Sequence, residues 1–136
     1  MVAHAGAIYL FGGRGADGDS AAMRKYDLRA KSWSNVPPLP IARHSFASFM
    51  VGNELWVTGG RNAAQGTRIA RTDIYSFETD SWRQGPDMPT GRGGHAAAHL
   101  DGQVHIIGGE IFSPTVLVDA HNVLDINSET WSEGPL

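Results

Sequence analysis

With 136 residues, the chain has room for one domain or part of one. It contains no cysteine, which excludes disulfides, thiolate catalysis and Cys-ligated zinc. A formal charge of -3 gives no reason to expect nucleic acid, and no apolar run approaches the ~18–20 residues of a membrane span.

The 17 glycines and 7 prolines punctuate short apolar runs, so strands are expected rather than helices. The first run, Ala7–Phe11, follows a tight turn at Ala5-Gly6 and stops at Gly12-Gly13-Arg14. After it come Tyr26-Asp27, Trp33 seven residues beyond Tyr26, Pro40 seven further, and Arg43 three after that. The order then recurs, with strands predicted at His44–Val51, Glu54–Thr58, Asp73–Phe77 and Ser81–Arg83. Gly52-Asn53 makes the turn, Gly59-Gly60 closes the second strand, and Tyr75, Trp82, Pro89 and Arg92 keep the earlier spacing. A third pass runs through Asp101-Gly102, Val104–Ile107, Gly108-Gly109, Leu124 and Trp131.

Glycine pairs at 12, 59 and 108 set periods of 47 and 49 residues. Only the glycine-to-tyrosine segment changes length, as a loop between packed strands does. The second strand of each unit is apolar on both alternations (Ile8-Tyr9-Leu10-Phe11; Val104-His105-Ile106-Ile107), which suits a sheet held between other sheets. Tyr26 opposite Trp33, and Tyr75 opposite Trp82, are predicted as cross-strand aromatic pairs worth ~0.5–1 kcal/mol each. The paired glycines allow close backbone approach and a sharp turn where the strand ends.

Together, the Gly-Gly pair, the following Tyr-Asp, the Trp and the Pro-x-x-Arg resemble kelch repeats over nearly the whole chain. Leu124 departs from the aromatic and Ser76 from the aspartate. The resemblance implies an all-β, kelch-type β-propeller: three four-stranded antiparallel blades forming half of a six-bladed ring. The first blade is truncated, because Met1 aligns with Ser48. Repeats are read at 1–40, 41–89 and 90–136. Such a chain is expected to be a fragment of a longer polypeptide or one half of a homodimer that completes the propeller.

Strand directions put the connections Arg14–Met23, Arg61–Thr72 and Glu110–His121, with the Trp-to-Arg segments, on one rim. That rim gathers Arg43, Arg61, Arg68, Arg71 and Arg92 against Asp87, while Glu54, Glu78, Asp80, Asp101 and Glu129 lie at the other. A carboxylate-bearing ligand is expected there, either an acidic peptide or protein loop or an acidic sugar. In kelch domains that bind peptides, arginines before the first strand and polar residues after Gly-Gly make contact. The resemblance carries this role onto Arg43, Arg92, Arg14, Arg61 and Asn62, and His44 joins them beside Arg43. Arg43 and Arg92, recurring at one fold position, equally fit bonds to backbone carbonyls or neighbouring blades, and Arg68 and Arg71 fit a solvated loop.

His95 and His99 would lie ~13 Å apart along a strand, too far to share an ion. His105 takes the place of Tyr9 and Trp56 and reads as a packed aromatic substitute; His121 begins a third strand. No metal or cofactor is expected, no Ser-His-Asp set is evident, and Gly91-Arg92-Gly93-Gly94 opens no helix that could cradle phosphate. The sequence leans towards a soluble, non-catalytic protein-binding module, with neither nucleic acid nor membrane as partner and the cytoplasm slightly favoured. The alternative that the resemblance implies is part of a kelch-like enzyme acting on an acidic sugar, of the sialic-acid mutarotase or epimerase type. A copper oxidase with a Tyr–Cys crosslink is excluded by the missing cysteine.

Overall fold

In the computed structural model, residues 1–64, 67–111 and 114–135 are described. Each repeat folds into one four-stranded antiparallel sheet, a blade. The first blade holds Val2–His4, Ala7–Phe11, Met23–Asp27 and Ser32–Val36. In the second are Ala47–Val51, Glu54–Thr58, Thr72–Ser76 and Ser81–Gln84. The third contains Ala96–Leu100, Gln103–Ile107, His121–Asp125 and Thr130–Glu133. Within each blade the strands neighbour one another in chain order, so the first strand and the tryptophan strand are opposite edges. First strands of the second and third blades touch, which turns that edge towards the propeller axis.

Turn chemistry explains the hairpins. Ala5-Gly6 and Asp101-Gly102 have positive φ at both central residues, as a type I′ turn requires, whereas at Gly52-Asn53 only Gly52 does. Four residues join the third strand to the fourth, with Lys31, Asp80 and Glu129 left-handed at φ 52–53° as each turn ends. The aspartate after the tyrosine caps this turn. Asp27 Oδ1 accepts the Arg29 and Ala30 N–H groups at 2.8 and 2.7 Å, and Asp125 Oδ1 accepts the Ser128 N–H at 2.8 Å. Ser76 performs the same task, its Oγ accepting the Thr79 N–H at 3.3 Å, so that departure from the motif costs little. The four-residue turn sets the register, placing Tyr26 opposite Trp33, Tyr75 opposite Trp82 and Leu124 opposite Trp131. The first two pairs have ring centroids 5.0 and 5.1 Å apart.

Two features differ from the sequence reading. The first strand of the second blade starts at Ala47 rather than His44, because Ser45 sits at φ 54° and leaves His44 only an isolated bridge to Arg61. The long connections also carry short two-stranded ribbons: Arg14–Gly15 with Gly18–Asp19, Arg61–Asn62 with Thr67–Arg68, and Glu110–Ile111 with Val116–Leu117. The tips of the last two connections, residues 65–66 and 112–113, lie outside the described residues.

Blades pack face to face through two apolar clusters. Tyr9, Phe11 and Met23 of the first blade meet Leu55, Val57 and Tyr75 of the second. Phe49, Trp56 and Ile74 on the opposite face of the second meet Val104, Ile106 and Leu124 of the third. The second strand of the central blade is therefore buried on both faces, as its doubly apolar pattern predicts. On the outer blades the same pattern leaves Leu10 and Ile107 exposed.

The seams repeat with the sequence. Trp82 Nε1–H donates to the Pro37 carbonyl at 3.0 Å and Trp131 Nε1–H to the Pro86 carbonyl at 3.2 Å, each tying a blade to the one before it. The second glycine of each pair ties its blade to the next. Gly13 N–H bonds the Arg43 carbonyl at 2.8 Å, and Gly60 N–H the Arg92 carbonyl at 2.9 Å. The first glycine makes room for the next blade's side chains. A Cβ on Gly59 would meet His95 Cε1 and Met88 Cε at 2.6 Å and the Arg92 carbonyl at 2.8 Å, at a φ of 68°. Gly59→Ala is expected to destabilise the fold by about 2–4 kcal/mol, from overpacking and the left-handed backbone together. Gly13→Ala, where no atom lies within 4 Å of the new Cβ, should suffer the backbone penalty without the clash. Urea midpoints of the two variants measure the difference.

Candidate functional site

The rim that carries the ribbons is where the sequence places its candidate ligand residues, and the structure separates them into two groups. Arg43 and Arg92 turn inward. Both are 0% exposed, each clasping the ends of the second and third strands of its own blade. Arg43 Nη1 donates to the carbonyls of Gly59 and Arg71 at 3.3 and 3.1 Å, and Nη2 pairs with Asp73 Oδ2. Arg71 supports the same carboxylate, its Nε 2.6 Å from Asp73 Oδ1. Burial, and then the like charge of Arg71, bring the Arg43 pKa down to about 10, so it remains a cation at neutral pH. Arg92 repeats the arrangement with a neutral acceptor: Nε donates to the Gly108 carbonyl and Nη2 to Asn122 Oδ1, both at 2.8 Å. Burial lowers its pKa as well. Neither guanidinium reaches solvent, and both hold the strand ends of the rim from within.

The second group lies on the ribbons. His44 and Arg61 are joined by two backbone hydrogen bonds, His44 N–H to the Arg61 carbonyl at 3.0 Å and the reverse at 2.9 Å. Asn62 is buried and holds the segment before the first strand, its Nδ2 donating to the Ala42 carbonyl at 2.8 Å. Polar side chains then link the three blades. Asp19 of the first ribbon lies 2.7 Å from His44 Nδ1, an ion-pair distance without hydrogen-bond alignment, and its Oδ2 accepts the Ala63 N–H at 2.5 Å. Arg61 Nη2 pairs with Glu110 Oε1 of the third ribbon at 2.6 Å. Arg14, opposite Asp19 in its ribbon, is exposed.

Arg68, read from the sequence as a solvated loop residue, lies on the same ribbon as Arg61. The ribbon register sets it directly across from Arg61, and it is exposed. Like charges opposite one another in a ladder are unfavourable by a few tenths to ~1 kcal/mol, and here Glu110 already offsets the charge of Arg61. Asp19 and Glu110 were missed altogether, since the connections that carry them show no alternation and the first differs in length from the others.

The histidines are scattered. His95 is buried in the seam between the second and third blades, whereas His99 is exposed on the axial strand, its Nδ1 3.1 Å from the Met50 carbonyl. His105 and His121 meet on the outer face of the third blade, Nδ1 to Nε2 at 2.9 Å. Among the described residues, no three His, Asp or Glu side chains converge as a metal site, and no helix is long and apolar enough to cross a membrane.

Comparison with known proteins agrees with this architecture. The family model described as KLHDC2/KLHL20/DRC7 Kelch-repeats domain matches residues 1–136. Kelch-like protein 15 of Gallus gallus is 30% identical over 53 residues, 39% of this chain and 11% of that protein. Tip elongation aberrant protein 3 of Schizosaccharomyces pombe is 32% identical over 88 residues, 58% of this chain and 8% of that protein. Kelch-like protein 25 of Xenopus laevis is 38% identical over 60 residues, 43% of this chain and 10% of that protein. The matched segments thus span about a tenth of these relatives. The solved structure of YjhT superposes with a TM-score of 0.80 at 19% identity, covering 96% of this chain and 49% of that one. The lean away from catalysis drawn from the sequence is corrected by this likeness. A shared frame does not decide between catalysis and binding, because ligand chemistry is carried by loops grafted onto a common scaffold.

Proposed function

This chain belongs to the KLHDC2/KLHL20/DRC7 Kelch-repeats domain family, and from that premise we propose that its ribbon rim binds an acidic sugar, as part of a kelch-like enzyme of the sialic-acid mutarotase or epimerase type. The observation that carries the reading is the juxtaposition of Arg61 and Arg68 across one ribbon, with Arg14 exposed on the neighbouring ribbon. A sugar carboxylate seated at the exposed Arg68 gains charge-assisted hydrogen bonds, and Arg61, itself paired with Glu110, adds positive charge from across the ribbon. The superposition on YjhT over almost the whole chain supports the same reading at the level of the frame. The inward arginines hold the strand ends from which the ribbons spring, and so fix the geometry of the cradle without entering it.

A second reading, an acidic peptide or protein loop as ligand, is favoured by one feature: Arg14 and Arg68 are exposed on projecting ribbons, within reach of an extended chain. Titration of the isotope-labelled protein with N-acetylneuraminic acid, and separately with a glutamate-rich peptide, distinguishes the two. The sugar is expected to shift the amide resonances of Arg61, Asn62 and Arg68, and Arg68→Glu should weaken binding at least about tenfold by turning attraction into repulsion. Shifts with the peptide alone transfer the assignment to the second reading. Silence with both overturns the rim as an anion site.

A further inference from the structure

The two open blade faces differ from their counterparts inside the structure in opposite directions. The face the second blade turns to the third carries Phe49, Trp56 and Ile74. On the third blade the equivalent outward face has Ala98, His105 and Val123, smaller at all three positions. The face the third blade turns to the second carries Val104, Leu124 and Trp131. Its equivalent on the outward face of the first blade is Ile8, Tyr26 and Trp33, larger at two positions and identical at the last. Away from these positions, Ala3 in place of His99 on the first blade, and Leu100, Ile107 and His121 in place of Val51, Thr58 and Thr72 on the third, run the other way. Along the central row of each sheet, one open face has lost volume where the other has gained it, which is the relation that close packing demands of mating surfaces.

From this complementarity we infer that a second copy of this chain covers both open faces, the first blade of each copy seating on the third blade of the other by a twofold rotation. The contacts of the inner seams specify the outer ones. Phe77 stacks on His4 with ring centroids 4.1 Å apart; the repeat equivalents at the new seam are Leu28 and Leu100, at present 53% and 62% exposed. Trp82 and Trp131 donate to Pro37 and Pro86; Trp33, 45% exposed, then donates to the Pro135 carbonyl of the other copy. Pro135 also accepts from His121 Nδ1 at 2.7 Å, and a carbonyl oxygen has lone pairs for both.

Area and geometry agree. One face of a four-stranded, five-residue sheet covers about 300 Å². Two seams with two faces each then bury about 1,200 Å², the lower bound of a stable specific interface. Three blades matching 49% of YjhT leave room in that frame for one further copy.

Native mass spectrometry and light scattering test the inference. The chain is expected at twice its 14.6 kDa mass, without larger species. Leu28→Lys and Leu100→Asp should each weaken the dimer at least about a hundredfold, since each buries an unpaired charge in both seams. Both positions are exposed in one copy, so the far-UV spectrum of each variant stays that of the parent. Mixing the two variants should restore a heterodimer, in which one seam is unaltered and the other pairs lysine with aspartate. A monomeric parent, whose faces are then covered by further repeats of a longer polypeptide, overturns the inference. So does a polydisperse polymer, or a dimer that both substitutions leave intact.

Discussion

Arg43→Ala is expected to cost about 3–5 kcal/mol of folding stability while leaving the affinity of the folded molecule for an acidic ligand unchanged. The guanidinium is wholly buried and satisfies three carbonyls and one carboxylate at once. Its removal leaves Asp73, itself 0% exposed, with Arg71 as its remaining cation and strands the Gly59 carbonyl, while the Arg71 carbonyl keeps the Gly59 N–H. Breaking one partner of a buried pair carries a penalty in that range. Arg92→Ala should cost less, about 2–3 kcal/mol, because Asn122 is neutral and only hydrogen-bond partners are stranded. Urea denaturation supplies the ranking. Adding Asp73→Ala to Arg43→Ala should cost less than the sum of the two single changes, the sign of a shared network. If Arg43→Ala instead abolishes ligand binding with the denaturation midpoint unmoved, the clasp assignment fails.

How far the sequence reaches is visible in these same residues. The blades were legible because their signals are local: seven residues from tyrosine to tryptophan fix a four-residue turn and hence a register. A doubly apolar second strand shows that neighbours lie on both sides. The direction of the arginines was not legible, because Pro-x-x-Arg gives the same spacing whether the side chain turns outward to a ligand or inward to carbonyls. A usable signal was nevertheless present. Asp73 and Asn122 each follow their arginine by 30 residues, a matched acceptor two strands away. The ribbons escaped notice because two-residue strands have no alternation to read, and with them went Asp19, Glu110 and the opposition of Arg61 to Arg68. His95 was weighed only with His99 as a metal pair and rejected as one, although its offset from the glycine pair is that of Phe46, a packing position.

That position has a consequence for pH. Phe46 lies over Gly12 as His95 lies over Gly59, so an imidazole fills a slot shaped for a phenyl ring. Both ring nitrogens of His95 are buried without a hydrogen bond of ordinary geometry. Burial first, and then the neighbouring Arg92 charge, push its pKa from 6.5 down to about 4. The folded state therefore holds the neutral ring, while the unfolded chain takes up a proton as soon as pH falls below 6.5. Between 6.5 and 4 the unfolded state binds more protons, so stability is complete above this window and is lost as pH falls through it. Integrated over the window the loss is about 3 kcal/mol, of which about 2 kcal/mol has gone by pH 5. His95→Phe removes the titrating group and keeps an aromatic ring on Gly59. The variant should match or exceed the parent in urea midpoint at pH 7 and exceed it by about 2 kcal/mol at pH 5. The difference between the two proteins isolates His95 from the carboxylates and other histidines that titrate in both. Parallel stability curves across pH 5–7 would mean that the buried ring finds a partner, or water, once the blades close around it.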